Sequence, residues 1–128
     1  MSYYLLSAEA GFSAAHTLAG VDMCERMHGH NWRVRVTVRV PGTALDRAGM
    51  GVDFRAIEAL ARDAVADLDH RYLNDLPDFR DHPPSAERIA HVLAGRADTR
   101  LRALAPAAAL EQVEVWEAPQ YRVVYRPA

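Results

Sequence analysis

Between Asn31 and Val40 the chain alternates without a break. Trp32, Val34, Val36, Val38 and Val40 are apolar; Asn31, Arg33, Arg35, Thr37 and Arg39 are polar. Successive strand residues point to opposite faces, so this period predicts a half-buried β-strand. Residues 3–16 (YYLLSAEAGFSAAH) are rich in aromatic and apolar types and predict an earlier strand, with Gly11 marking a bulge. Residues 17–27 read as a loop. After Val40, PGTALDRAGMG supplies turn residues.

The period then lengthens. Phe54, Ile57, Leu60, Ala61, Ala64, Val65 and Leu68 recur every three or four residues, which predicts a helix capped by Asp53. It runs into the turn chemistry of LDHRYLNDLPDF. A second helix starts in HPPSAERIAHVLAGR, with Ser85 as N-cap after Pro83-Pro84 and Gly95 helping to stop it. The runs Ala109–Glu117 and Tyr121–Arg126 read as an antiparallel hairpin across Ala118-Pro119-Gln120. The order strand, strand, helix, helix, strand, strand predicts an α+β fold: a four-stranded antiparallel sheet with two helices on one face. The other face carries Arg33, Arg35 and Arg39, and such a sheet keeps two open edges of the kind that invite subunit pairing.

Composition narrows the class. The 128 residues fit one domain spanning 1–128, are 50% hydrophobic and 25% charged, and carry a net charge of −2. Neither nucleic acid nor a membrane surface is suggested as a partner. MSYYLLSAEA lacks the basic and apolar regions of a signal peptide, and no apolar run is long enough to span a bilayer. One cysteine forms no internal disulfide, so a reducing, cytoplasmic setting is expected.

The candidate chemistry is concentrated in CERMHGH, residues 24–30. His28 and His30 are two apart, so on a strand they share a face, with imidazoles about 7 Å apart along it. If the first two strands pair antiparallel, His16 joins them. Three neutral imidazoles suit Zn²⁺ and leave a fourth position open, as catalytic sites do. Without HExxH, helix-borne zinc-protease chemistry is not expected. Zinc-finger spacings are excluded by the single cysteine. Cys24 has two readings: a small buried hydrophobe, or a thiolate favoured by a dication or by Arg26. Asp69-His70 is either a carboxylate-oriented imidazole or a histidine placed at a helix end for the dipole. Glu117 is either a surface charge or an anchor for a ligand with adjacent N–H donors.

Six motifs occur in order along nearly the whole chain: FSAAH (12–16), CERMHGH (24–30), VDF (52–54), LDHRYLN (68–74), PSAE (84–87) and VEVWE (113–117). Together they resemble the 6-pyruvoyltetrahydropterin synthase and 6-carboxytetrahydropterin synthase family. The resemblance implies the tunnelling fold, ββααββ, in trimers whose sheets close a barrel, usually paired into hexamers, with active sites between subunits. The Arg33, Arg35 and Arg39 face would then line the barrel. It implies zinc on His16, His28 and His30, Cys24 as catalytic base, and Asp69 and His70 as its acid/base partners. Glu117 matches the carboxylate that anchors the pterin ring, and Ser85 and Ala86 fall in a segment that contacts it. Arg26 is a candidate for the triphosphate.

The implied substrate is 7,8-dihydroneopterin triphosphate. The short chain and compact CxxxHGH resemble the branch that forms 6-carboxytetrahydropterin, on the route to 7-deazaguanines and queuosine, more than the branch that forms 6-pyruvoyltetrahydropterin. A third branch, making 6-hydroxymethyldihydropterin, typically replaces the cysteine with glutamate, which Cys24 argues against. Three positions depart from the family: Thr17 stands where a basic residue is frequent, Ala86 where a hydroxyl sometimes sits, and Ala118 where threonine is common. Two further readings remain: a non-catalytic zinc or pterin-binding module, and a hydrolase using zinc-bound water with Cys24 structural.

Overall fold

A computed structural model describes residues 2–20 and 25–128. Cys24 falls outside them. β1 (Tyr3–His16) and β2 (His28–Pro41) pair antiparallel along their full length, from Tyr3 opposite Pro41 to His16 opposite His28. α1 (Phe54–Val65) and α2 (Ala86–Leu104) follow, then the hairpin of β4 (Ala109–Ala118) and β5 (Tyr121–Tyr125). β4 pairs with β2, so the hairpin lies on the far side of β2 from β1.

Alternation on β2 decides which side is covered. Val34, Val36, Val38 and Val40 are at most 1% exposed and pack with Ile57, Leu60 and Ala61 of α1 and Ile89, Leu93 and Ala97 of α2. Both helices therefore cover one face. Asp53 caps α1, its Oδ1 accepting from the Arg55 N–H at 2.8 Å; Ser85 caps α2, its Oγ accepting from the Arg88 N–H at 3.1 Å. Arg33, Arg35 and Arg39 occupy the opposite face. There the Arg33 guanidinium lies 3.9 Å from the centre of the Trp116 ring, and Arg35 pairs with Glu9 at 2.8 Å and Glu114 at 3.2 Å.

Among the described residues the sheet has five strands rather than four. β3 (Arg71–Tyr72) adds parallel to β1, opposite Ala14 and Ala15, giving the order β3-β1-β2-β4-β5. Two residues inside a run of turn formers carry no readable period, so only the contact with β1 reveals them. Gly11 marks no bulge: the β1–β2 register is continuous there. A Cβ at Gly11 would stand 3.2 Å from the Trp32 carbonyl oxygen, so close strand approach accounts for the glycine. The register shifts occur instead at Thr37/Val38 and Trp116/Ala118.

Gly95 does not stop α2, which continues to Leu104. The helix formers after it carry the helix on. Its end falls just before Ala105-Pro106, where a following proline disfavours helical backbone. Arg96 of α2 ties down the segment after α1. It donates to the Ala64 carbonyl at 2.8 Å, to both oxygens of Asp67 at 2.5 and 3.1 Å, and to Asp78. Among the described residues no helix is long and apolar enough to cross a membrane.

Candidate metal centre

Strand register gathers the histidines. His16 ends β1 directly opposite His28, and His30 lies two residues along β2 on the same face. The ring centroids are 4.4 Å apart for His16–His28, 5.4 Å for His16–His30 and 4.9 Å for His28–His30. Glu117, near the end of β4, closes the group, and one ligand atom from each of the four side chains lies within 4.8 Å of all the others. Beneath them Trp32 meets His16 and His30 edge to face at 5.1 and 5.3 Å, and its indole N–H donates to the Ala14 carbonyl at 3.3 Å.

Two of the rings have their protonation dictated. His16 Nδ1 lies 2.8 Å from the Pro84 carbonyl oxygen, and His28 Nδ1 lies 2.8 Å from the Arg26 carbonyl oxygen. A carbonyl only accepts, so in each case Nδ1 carries the hydrogen and Nε2 keeps its lone pair. His16 is wholly buried, yet among the described residues its Nε2 has no hydrogen-bond partner, and neither has His30 Nε2. His30 Nε2 is 2.9 Å from Glu117 Oε1, but the geometry is not that of a hydrogen bond. Buried, unpartnered lone pairs are costly unless something binds them. Burial also holds His16 and His30 below the usual imidazole pKa, favouring the neutral, ligating form. The donor set fits a Zn²⁺-type dication: three imidazoles, a carboxylate beside them, and Nδ1–H donors fixed on backbone carbonyls.

The remaining sequence candidates are distributed unevenly. Asp69 and His70 stand outside the histidine group. Asp69 Oδ1 accepts from the Ser13 N–H at 2.8 Å and its Oδ2 lies 3.0 Å from His70 Nδ1. The Ser13 N–H, then His70, hold the Asp69 carboxyl below the usual carboxylate range. His70 has a left-handed backbone, φ 59°, and an 82% exposed side chain. It shares with His30, Ser13, Asn31 and Tyr72 an open cleft of about 470 Å³. The structure thus places His70 and His30 on the same opening.

Arg26 is exposed and enters the site through its backbone carbonyl. Ser85 is engaged as the α2 cap, and Ala86 is buried in the core. The parts that Pro84, Trp32, Tyr72 and Asn74 play in the site are not readable from the sequence. Tyr72 and Asn74 do stand inside LDHRYLN, where their spacing from Asp69 was visible and their contacts were not. Nothing in a sequence marks the Pro84 carbonyl.

Known proteins give this arrangement its context. The family model described as 6-pyruvoyl tetrahydropterin synthase matches residues 5–128. A 6-carboxy-5,6,7,8-tetrahydropterin synthase of Synechocystis sp. is 37% identical over 92 residues, covering 68% of this chain and 69% of that protein. A dihydroneopterin monophosphate aldolase of Pyrococcus furiosus is 29% identical over 114 residues, covering 89% and 90%. The 6-pyruvoyl tetrahydropterin synthase structure of Caenorhabditis elegans superposes with a TM-score of 0.81 at 22% identity, covering 100% of this chain and 98% of that one. That likeness shows the shared tunnelling fold.

Proposed function

The chain belongs to the 6-pyruvoyl tetrahydropterin synthase family, and on that premise we propose that it converts 7,8-dihydroneopterin triphosphate to 6-carboxy-5,6,7,8-tetrahydropterin with a zinc ion. One domain over residues 1–128 carries the reaction, in the cytoplasm, within an oligomer of this chain. The observation behind the reading is the convergence of His16, His28 and His30, with Nε2 lone pairs left over after Nδ1 of His16 and His28 is spent on Pro84 and Arg26. His16, His28 and His30 would hold the metal. Bound there, zinc supplies Lewis-acid polarisation of the substrate's side-chain oxygens.

The chain's own residues do the rest. The C–H beside the ring is a weak acid, and its proton must move from carbon to the ring. Cys24 takes it as general base, a role supported by the CERMHGH motif and lying outside the described residues. Asp69 orients His70, whose outward imidazole passes protons to and from the side-chain hydroxyls. His70 is far more exposed than the histidine group and points from an edge of the sheet, which suits a site completed between copies of the chain. Glu117 accepts paired hydrogen bonds from the pterin 2-amino group and its neighbouring ring N–H.

A product assay tests this. Zinc-loaded protein is incubated with 7,8-dihydroneopterin triphosphate under reducing conditions, beside Cys24→Ala, and the pterin is identified by mass. The expected outcome is a 6-carboxy product with acetaldehyde, lost in the variant. A 6-pyruvoyl product keeps the site and changes the branch. A 6-hydroxymethyl product would point to the third branch and displace Cys24 as the deciding residue.

A further inference from the structure

The segment from Asp69 to Asn74 grips β1 at two places. At the first, Ser13 N–H donates to Asp69 Oδ1 at 2.8 Å and His70 N–H donates to the Ser13 carbonyl at 2.6 Å. At the second, Thr17 N–H donates to Asn74 Oδ1 at 3.0 Å and the Asn74 amide donates to the Thr17 carbonyl at 3.1 Å. Each grip satisfies both backbone groups of one residue. Between them β3 pairs with Ala14 and Ala15, and Leu73 is fully buried. His16 lies inside this bracket.

The second grip has a specific job. The β1–β2 register ends at His16 opposite His28, so Thr17 lies beyond the described ladder. β1 ends at His16, and Thr17 is no longer strand. Asn74 presents its side-chain amide as a peptide would, one acceptor and one donor, and so extends the edge pairing past the end of β3. The Thr17 and Tyr72 hydroxyls, 2.8 Å apart, add a second tie. His16 is thus fixed from both sides along the chain, while Pro84 fixes its ring.

We propose that Asn74 is a positioning residue for the metal centre. Its clamp on Thr17 holds the His16 backbone so that Nε2 keeps its direction, and it ties that ligand to the segment bearing Asp69 and His70. This rests on the metal reading above. Outer groups that orient a ligand typically control about ten- to hundredfold in metal affinity.

The test uses the full chain and metal alone. Zinc dissociation constants are measured by chelator competition, and the visible spectrum of Co²⁺-loaded protein reports ligand geometry. The variants are Asn74→Ala, which removes both hydrogen bonds, and Asn74→Asp, which keeps the acceptor and loses the donor. Leu101→Ala, in the core near the end of α2, is a control for lowered stability alone. Asn74→Ala should weaken zinc binding by about ten- to hundredfold and alter the Co²⁺ spectrum. Asn74→Asp should fall between it and the parent, and Leu101→Ala should bind as the parent does. Folded Asn74→Ala with parental affinity and spectrum overturns the proposal. If that variant does not fold, parental behaviour of Asn74→Asp overturns it equally. Failure of the parent chain itself to bind zinc or cobalt overturns the metal reading and this inference together, and is told apart by that result.

Discussion

His16 and Pro84 stand 68 residues apart in the chain and are joined by a 2.8 Å hydrogen bond from the imidazole Nδ1 to the carbonyl oxygen. That bond links the end of β1 to the residue before the cap of α2. It leaves Nε2 as a buried lone pair beside His28 and His30.

The histidines should separate by burial. His28→Ala should weaken zinc binding by more than the roughly hundredfold that outer groups control. Because His28 is only half-buried, metal-free stability should change by about 0.5 kcal/mol or less. His16→Ala should lose zinc and also cost about 1–3 kcal/mol without metal, since the Pro84 carbonyl loses its buried donor. Chelator competition and denaturant melts of the metal-free proteins check both. Retention of one zinc per chain by His28→Ala would remove it from the ligand set.

Glu117 has two roles within reach, and one substitution divides them. It lies 2.9 Å from His30 Nε2, close enough to join the metal, yet the functional reading assigns it to the pterin. Glu117→Gln should keep zinc and lose about 1.5–3 kcal/mol of pterin binding, from weakened charge-assisted hydrogen bonds. Equilibrium binding of a dihydropterin to zinc-loaded protein measures this. Loss of zinc with unchanged pterin affinity would instead make Glu117 the fourth ligand.

Acid should act through Asp69. Its carboxyl is held below the usual range, first by the Ser13 N–H and then by His70. A depressed folded pKa contributes stability that is complete above the unfolded value of about 3.9 and disappears as pH falls through the lowered one. The stability difference between the parent and Asp69→Ala should therefore shrink as pH falls below about 4. Urea titrations down to about pH 3 report it. A difference that stays flat to pH 3 would mean that the carboxylate charge is not what stabilises the contact.

Arg96 should be a structural node with effects beyond its own position. It joins Ala64, Asp67 and Asp78, and its side chain is 22% exposed. Arg96→Met should cost about 1–3 kcal/mol, less than a fully buried pair because both aspartates are partly solvated. The denaturant midpoint should fall while zinc affinity of the folded protein holds, since none of its contacts reaches the histidine group. A selective loss of zinc affinity would show that the node reaches the site through the segment after α1.

Much of this architecture was legible because two periods are written into the chain. The period-two stripe from Trp32 to Val40 fixed a strand with one buried face, and the three-to-four period from Phe54 fixed a helix that packs on it. The parity of His28 and His30 with that stripe followed from strand geometry alone. The motif order carried the family. The segment from Asp69 to Asn74 was legible only as a motif: its turn formers hide a two-residue strand, and strand identity at that length is a property of the partner. Gly95 misled because a glycine near a helix end is a stop only if the backbone turns left-handed there, and the following helix formers outweigh it.

By itself, then, the sequence determined the fold class and the shared face of His28 and His30, while the β1–β2 pairing that brings His16 to them stayed conditional. The fold class and the shared face follow from local periodicity, which short-range backbone geometry enforces. Tertiary structure alone decided that β3 edges the sheet, that Pro84 and Arg26 set two imidazole tautomers, that Glu117 joins the histidines, and that Asn74 holds Thr17. Each of these last contacts but one, the Arg26 carbonyl on His28, joins groups far apart in the chain. The partner is chosen by where packing of the core places it, so residue type and spacing carry no record of it.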